Sequence, residues 1–139
     1  MDDPFDLQRF VTAQQPVYAQ VRAELAAGDK SSHWMWFVFP QLKGLGRSAT
    51  ARHYGLVSLG EAQAYWQHPV LGPRLKECTQ LMLGVEGRTA LQILGSPDDL
   101  KFRSCMTLFE RAVPDEPVFG RALQKYCAGE RDPQTLQLL

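Results

Sequence analysis

The stretch SPDDLKFRSCMTLFERA, residues 96–112, carries helix signals at its start and an apolar pattern along one face. Pro97 stands in the first turn, where a missing amide hydrogen costs nothing, and two acidic residues lie near the positive end of the helix dipole. Apolar residues recur at spacings that mostly place them on one face, namely Leu100, Met106, Leu108, Phe109 and Ala112. The stretch therefore predicts a helix whose inner face belongs to the core.

Two helical segments are predicted at the beginning of the chain. Apolar residues at helical spacing run from Leu7 to Leu25, but Pro16 removes a backbone donor and disfavours helix in the residue before it. We therefore expect a kink or short break near Gln15. Gly28 follows the second segment, in the position where glycine commonly ends a helix.

The remaining chain also carries helix signals. The residues SLGE at positions 58–61 form a capping box, in which a serine and a glutamate each bond a free backbone amide. An apolar stripe continues along residues 71–85, and two further helices are expected at 117–129 and 132–139. No strand-like alternation with hairpin glycines occurs. We expect an all-α fold of about seven or eight helices in a single compact domain over residues 1–139.

The segment HWMWFVF at residues 33–39 is apolar on all sides, so its periodicity does not separate a buried helix from a buried strand. Its aromatic residues favour a strand, whereas its helical neighbours favour a short buried helix, and we predict the helix. Ser31 or Ser32 is expected to cap this helix, and Pro40 to end it. Three aromatic residues are expected to lie largely buried in one core: Trp36, Phe39 and Phe109.

Charge and composition argue against several functional classes. Lys and Arg together number 15, as do Asp and Glu, so the formal net charge is +0. A broad nucleic-acid or anionic-membrane surface needs a basic excess and is not expected. The three cysteines are odd in number and lack CxxC spacing, which favours reduced thiols. The first residues lack the apolar segment of a signal peptide. We expect a cytoplasmic monomer that contacts neither nucleic acid nor membrane.

Candidate site residues cluster around the aromatic segment. His33 is predicted to be a catalytic proton-transfer residue, because imidazole titrates near neutral pH. The alternative is a structural histidine whose ring nitrogens are bonded within the fold. Trp36 and Gln41 are expected to face the same ligand, although buried aromatic residues usually only pack. His53 and His68 are too scattered to form a zinc motif with His33, and no metal site or cofactor is predicted.

The turn QLKGLGRS at residues 41–48 predicts an anion site. Gly44 and Gly46 let a ligand approach the backbone closely. Ser48 caps the helix that follows, whose first amides can face an anion, and Arg47 and Arg52 offer forked donors suited to phosphate or carboxylate. The alternative is a plain turn between helices with a solvated arginine, since two glycines alone are a weak signal.

Lys101 and Ser104 lie about one helical turn apart and are expected to form the opposite wall of the same site. Arg47 and Lys101 would then hold an anionic group between them, and Tyr54 would close the site by a hydrogen bond or by stacking. The alternative is that Lys101 and Ser104 belong to a solvated flank of their helix.

Four segments together resemble the bacterial domain of unknown function 1810 family: DPFDLQRFVTAQ, SHWMWFVFPQLKGLGRS, HPVLGPRL and GSPDDLKFRSCMTLF. They span nearly the whole chain in the order expected of that family, and the block SHWMWF with the following FPQ is specific to it. The resemblance implies an all-helical domain with armadillo-like stacking, and no known activity, substrate or cofactor. The chain is also similar, more distantly, to the NADAR family, which acts on ADP-ribose derivatives, since both are small helical proteins with aromatic and basic motifs.

Two functions are compatible with these patterns. The first is an enzyme or binding protein for a small nucleotide- or ADP-ribose-like anion, with its pocket where the SHWMWF helix, the GLGRS turn and the DLKFRS helix converge. The second is a helical interaction module without catalytic activity, in which the same motifs serve the core. His33, Arg47 and Lys101 within reach of one another would favour the first, and their separation on different faces the second.

Overall fold

The computed structural model describes residues 3–139, and within them the chain is all-α, as expected. An isolated bridge between Leu42 and Leu56 is the only β-type pairing in that range. The α-helices are α1 (Gln8–Gln14), α2 (Tyr18–Ala27), α3 (Met35–Val38), α4 (Ala49–His53), α5 (Leu59–Gln67), α6 (Leu71–Gly84), α7 (Ala90–Leu94), α8 (Asp98–Ala112), α9 (Pro117–Cys127) and α10 (Pro133–Leu138). A short 3₁₀ helix, Lys43–Leu45, lies between α3 and α4.

The number of helices is larger than expected, in part because of α7, which is only five residues long. Such short helices leave little periodic pattern in a sequence. One of them, α7, was not expected, although Thr89 and Gln92 form a complete capping box at its start. The armadillo-like arrangement of the helices stays a prediction. None of the helices within residues 3–139 has the length and apolar character needed to cross a membrane.

The break between α1 and α2 occurs where the sequence predicts it, on either side of Pro16. Gly28 ends α2 in the left-handed conformation, with φ of 68°, and its amide bonds to the carbonyls of Glu24 and Leu25. A side chain in that conformation is strained, and a Cβ atom at this position would also meet Val85. The glycine therefore directs the chain from α2 into the aromatic segment.

The helix α8 packs against α5, α7, α9 and α10. Its buried apolar side chains are Phe102, Cys105, Met106, Leu108, Phe109 and Ala112. The ring of Phe109 is fully buried, with centroids 5.5 Å from Tyr65 and 5.6 Å from Phe119, so its place in the core is confirmed. Leu100, which was expected to face inward, is 59% exposed. It lies in the first turn of α8, where the helix borders open depressions at the surface.

The aromatic segment forms a single helical turn, α3, so the predicted short helix is confirmed. Phe39 is buried, but Trp36 is only partly buried, and Trp34 takes the core position instead. In a helix with about 3.6 residues per turn, a run of four side chains points in nearly every direction, so one of them must face outward. Trp36 therefore packs against the core but is less completely buried than Phe39 and Phe109.

The buried carboxylate of Glu24 holds the loop before α3. It accepts five hydrogen bonds of 2.6–3.1 Å, from the side chains of Gln20, Ser32 and Trp34 and from the amides of Ser31 and Ser32. Burial raises the pKa of Glu24, but these hydrogen bonds outweigh the effect of burial and bring the pKa to about 2. The two serines therefore bind Glu24 instead of capping α3, whose first residue has no side-chain cap.

A buried ion pair joins α1 to the start of α5. One oxygen of Glu61 lies 3.0 Å from the guanidinium of Arg9, and the other accepts the amide of Val57 at 2.8 Å. Arg9 also donates to four backbone carbonyls, including those of His53 and Gly55. The hydroxyl of Ser58 caps α5 as expected, at 3.1 Å from the amide of Glu61. The capping box is only half formed, because the glutamate bonds these other partners.

Candidate ligand-binding site

Three segments that are distant in the sequence meet around an open depression with a volume of about 670 Å³. They are the stretch from Gln41 to Ala51, the first two turns of α8 and the start of α10. We call this the main depression, and its polar lining includes Gln41, Arg47, Ser48, Lys101, Ser104 and Asp132. Five of these six residues were predicted from the sequence to bind a ligand together.

The first wall is fixed by backbone hydrogen bonds. The amide of Leu56 donates to the carbonyl of Gln41 at 2.9 Å, and the amide of Lys43 donates to the carbonyl of Leu56 at 2.7 Å. The hydroxyl of Ser48 accepts the amide of Ala51 at 3.1 Å, so its role as the cap of α4 is confirmed. These contacts hold the turn in place and leave the side chain of Arg47 exposed.

The second wall is the beginning of α8. The ammonium group of Lys101 lies 5.4 Å from the ring centre of Trp36 and 3.9 Å from a carboxylate oxygen of Asp98. The second distance is long for an ion pair, so the ammonium group is held only loosely. Ser104 is buried, and its hydroxyl donates to the carboxylate of Asp132 at 3.1 Å. Ser104 therefore supports the wall through the last helix.

The third wall is α10, which is not among the segments that the sequence predicts to form the site. Asp132 caps α10 by accepting the amide and the hydroxyl of Thr135, at 3.0 and 2.6 Å. Its own amide donates to the hydroxyl of Thr107 on α8 at 2.9 Å. The dipeptide Asp132–Pro133 is a recognisable helix start, but no local pattern indicates where that helix packs. The contacts with α8 bring it to the depression.

The charges on the lining are mostly positive. Arg47 forms no ion pair with any carboxylate among residues 3–139. Arg103, by contrast, is engaged with the backbone carbonyls of Glu130 and Arg131 at 3.0 and 2.8 Å. The carboxylate of Asp132 is occupied by hydrogen bonds within the fold. Arg47 and Lys101 are therefore the cations that remain for a ligand in this depression.

His33 lines a different, smaller depression of about 360 Å³, which we call the histidine depression. Trp36 also lines it, while Lys101 and Pro97 border both this and the main depression. His33 is exposed to solvent and is not sealed in the core. The expected convergence is therefore partial, since Lys101 reaches both depressions but His33 and Arg47 lie on different ones.

The two glycines of the turn border a third depression, of about 560 Å³, that adjoins the main one. Gly44, Gly46 and Arg47 line it, together with Arg52. Gly46 also has a structural reason to be glycine, because a Cβ atom there would lie 3.0 Å from the carbonyl carbon of Ala51. We call this third space the arginine depression.

Tyr54 lines none of these three depressions. Its ring packs among other rings, with centroids 4.6 Å from His53, 5.4 Å from Phe37 and 5.8 Å from Phe10. Tyr54 was expected to close the site, but the structure places it with the aromatic side chains that support α3 and α4.

Comparison with known proteins agrees with the motifs. The family model described as "Protein of unknown function (DUF1810)" matches residues 4–139. The chain belongs to the DUF1810 family. Its fold is similar to the crystal structure of the conserved hypothetical protein Rv1873 from Mycobacterium tuberculosis, with a TM-score of 0.97 and 58% sequence identity, over 99% of this chain and 98% of that chain. No curated protein matched the chain. Neither finding assigns an activity to this DUF1810 protein.

The cysteines of this DUF1810 protein are poorly suited to nucleophilic chemistry. Burial raises the pKa of Cys78 to about 12 and that of Cys105 well above its usual value. Burial also raises the pKa of Cys127, which is only partly buried. A thiol needs a lowered pKa to attack as thiolate near neutral pH. Within the described part of the chain, no three His, Cys, Asp or Glu side chains form a group able to hold a metal ion.

Proposed function

We propose that this DUF1810 protein binds a small anionic ligand, of nucleotide- or ADP-ribose-like size, in the main depression. The observation that carries the proposal is that two cations from distant segments line this one depression, Arg47 on the turn before α4 and Lys101 on α8. Neither cation has a close carboxylate partner, so an anionic group that enters between them gains two charge-assisted contacts.

The size and chemistry of the depression support a ligand of this class. A volume of about 670 Å³ lies within the range of small-molecule sites. Its lining combines the polar groups with apolar side chains from each wall, namely Leu45, Pro97, Leu100 and Pro133. Such a mixture suits a molecule with an uncharged ring system and an attached phosphate.

His33 is the residue that we propose for proton transfer if the bound molecule is also a substrate. The histidine depression begins at Lys101, so a ligand held by that lysine can extend towards the imidazole ring. His33 is exposed and therefore accessible to such a ligand. We place the protein in the cytoplasm as a monomer, a location that its three free cysteines support.

A helical interaction module remains the second candidate function. The observation that favours it is a pair of exposed leucines, Leu91 at 53% and Leu100 at 59%, that border one further surface depression. Exposed apolar side chains that lie together mark surfaces where proteins associate. In this case the main depression would receive a side chain of a partner protein.

Isothermal titration with AMP and ADP-ribose tests the proposed function. We expect Arg47→Ala and Lys101→Ala each to weaken binding at least about tenfold, since a hydrogen bond to a charged group contributes about 1.5–3 kcal/mol. The melting temperature should change little, because both side chains lie at the surface. Arg111→Ala is the matched control, as that arginine is exposed and lines none of the three depressions. Binding that both variants retain at full strength would contradict the proposal.

A further inference from the structure

The arginine depression adjoins the main depression, and its lining is more polar. The two spaces share Leu45, Arg47 and Gln134, so one ligand can occupy both. The remaining lining of the arginine depression comes from the glycine turn, from Arg52 on α4 and from Gln137 and Leu138 on α10. Most of the apolar side chains border the main depression, whereas glycine backbone, amides and guanidinium groups dominate the second.

Arg47 and Arg52 place two positive charges on this one surface, and no acidic side chain lines it. Neither arginine forms an ion pair with a carboxylate in the range 3–139. Arginines elsewhere in the fold are engaged: Arg9 with Glu61 at 3.0 Å, and Arg131 with Glu110 at 2.6 Å. An anion bound in this depression would therefore meet two cations that no carboxylate neutralises.

Arg47 borders both spaces, which constrains the position of the negative charges on a ligand. One anionic group can bind between Lys101 and Arg47 in the main depression. A second can bind between Arg47 and Arg52 in the arginine depression. Because Arg47 is common to both pairs, the two anionic groups must be close neighbours. The forked donors of arginine match the oxygens of a phosphate group in particular.

We infer that the ligand carries two adjacent phosphate groups, as in a nucleoside diphosphate, and that Arg52 is the residue that selects a diphosphate over a monophosphate. The organic part of the ligand would lie against the apolar lining of the main depression. This inference rests on the proposed function and adds to it the class of ligand and a selective role for Arg52.

Calorimetric titration of the full chain with AMP, ADP and inorganic pyrophosphate tests the inference. The wild-type protein should bind ADP about tenfold more tightly than AMP, which corresponds to the gain of about one charge-assisted contact. Arg52→Ala should remove that preference and leave the affinity for AMP within about twofold of wild type. Arg121→Ala provides the matched control, because that arginine is exposed and borders none of the three depressions.

Two results would overturn the inference while the proposed function stands. Both results presuppose that the wild-type protein binds AMP and that Arg47→Ala and Lys101→Ala weaken the binding of AMP. The first is equal affinity of the wild type for AMP and ADP, and the second is a loss in Arg52→Ala that is the same for both nucleotides. If neither nucleotide binds, the titration with pyrophosphate tests whether the diphosphate site exists without the nucleotide site. Pyrophosphate binding that Arg52→Ala abolishes supports the diphosphate site with another organic group, and absence of all binding overturns both.

Discussion

The indole nitrogen of Trp34 donates to the carboxylate of Glu24 at 2.9 Å, and this hydrogen bond connects α2 to the first tryptophan of the aromatic segment. Both side chains are buried. The same carboxylate holds Ser31 and Ser32, so one acidic residue fixes the whole loop that precedes α3. The neighbouring His33 and Trp36, which line the histidine depression, depend on that loop for their positions.

Replacing Glu24 by Gln should lower the free energy of unfolding near neutral pH by about 3 kcal/mol. The pKa of Glu24 is lowered from 4.5 to about 2, and one pKa unit corresponds to about 1.4 kcal/mol. Urea unfolding followed by circular dichroism measures this difference. Glu86→Gln is the control, since the Glu86 side chain is 91% exposed, and it should leave the stability nearly unchanged.

The same carboxylate predicts a pH dependence with a defined sign. A folded-state pKa below the unfolded value means that the unfolded chain binds the proton more readily. The stabilisation is therefore complete above about pH 5 and is lost as the pH falls towards about 2. In Glu24→Gln the free energy of unfolding should fall less over this interval than in the wild type. Parallel curves for the two proteins would contradict this role for Glu24.

Replacing Arg9 by Met should destabilise the fold by about 3–5 kcal/mol, because it leaves the buried carboxylate of Glu61 without its cation. The side chain of Glu61 is only 1% exposed, and several backbone carbonyls also lose their donor. Chemical unfolding measures the loss. Arg111→Met removes an exposed guanidinium instead and should change the stability by less than about 0.5 kcal/mol.

Phe39→Ala and Trp36→Ala should differ strongly although the residues are neighbours in one segment. Phe39 is 1% exposed and packs edge-on against Phe102 at 5.0 Å, so its truncation should cost about 3–5 kcal/mol. Trp36 is partly buried and should cost less than half as much. Equal losses in unfolding experiments would mean that Trp36 also belongs to the core.

Asp132→Ala should loosen α10 without unfolding the rest of the protein. The variant loses the helix cap and the bond to Ser104, and loss of a cap costs about 0.5–2 kcal/mol. Amide hydrogen exchange should therefore accelerate in residues 134–138 and remain slow in α8. Any ligand of the main depression should also bind more weakly, because α10 forms one of its walls. Asp115→Ala, at an exposed position, is the matched control.

Local signals in the sequence account for much of the helical architecture. Pro16, Gly28 and Ser48 act on the chain within a few residues, and the boundaries that they predict are those observed. The exchange of roles between Trp34 and Trp36 was not predictable in this way. In a segment that is apolar on all sides, tertiary contacts alone decide which ring faces outward.

The candidate site was predictable only in part for the same reason. Gln41, Arg47, Ser48, Lys101 and Ser104 are brought together as expected, because each lies on a segment with a recognisable chemical pattern. The separation of His33 from Arg47 depends on how α3 is oriented relative to α8. The contribution of α10 depends on contacts across more than twenty residues of chain, such as the one between Ser104 and Asp132. Neither the separation of His33 from Arg47 nor the position of α10 is visible in a local sequence pattern.

The position of α10 has a practical consequence for the preparation of this protein. Leu138 lines the arginine depression, and its side chain reaches the glycine turn near Gly44. Any residues that follow Leu139 in an expressed protein, such as a purification tag, would leave the fold beside that depression. A polyhistidine tag there would add imidazole groups next to Arg47 and Arg52, and would compete with small compounds for the same space. Ligand screens should therefore use protein from which any C-terminal tag has been cleaved.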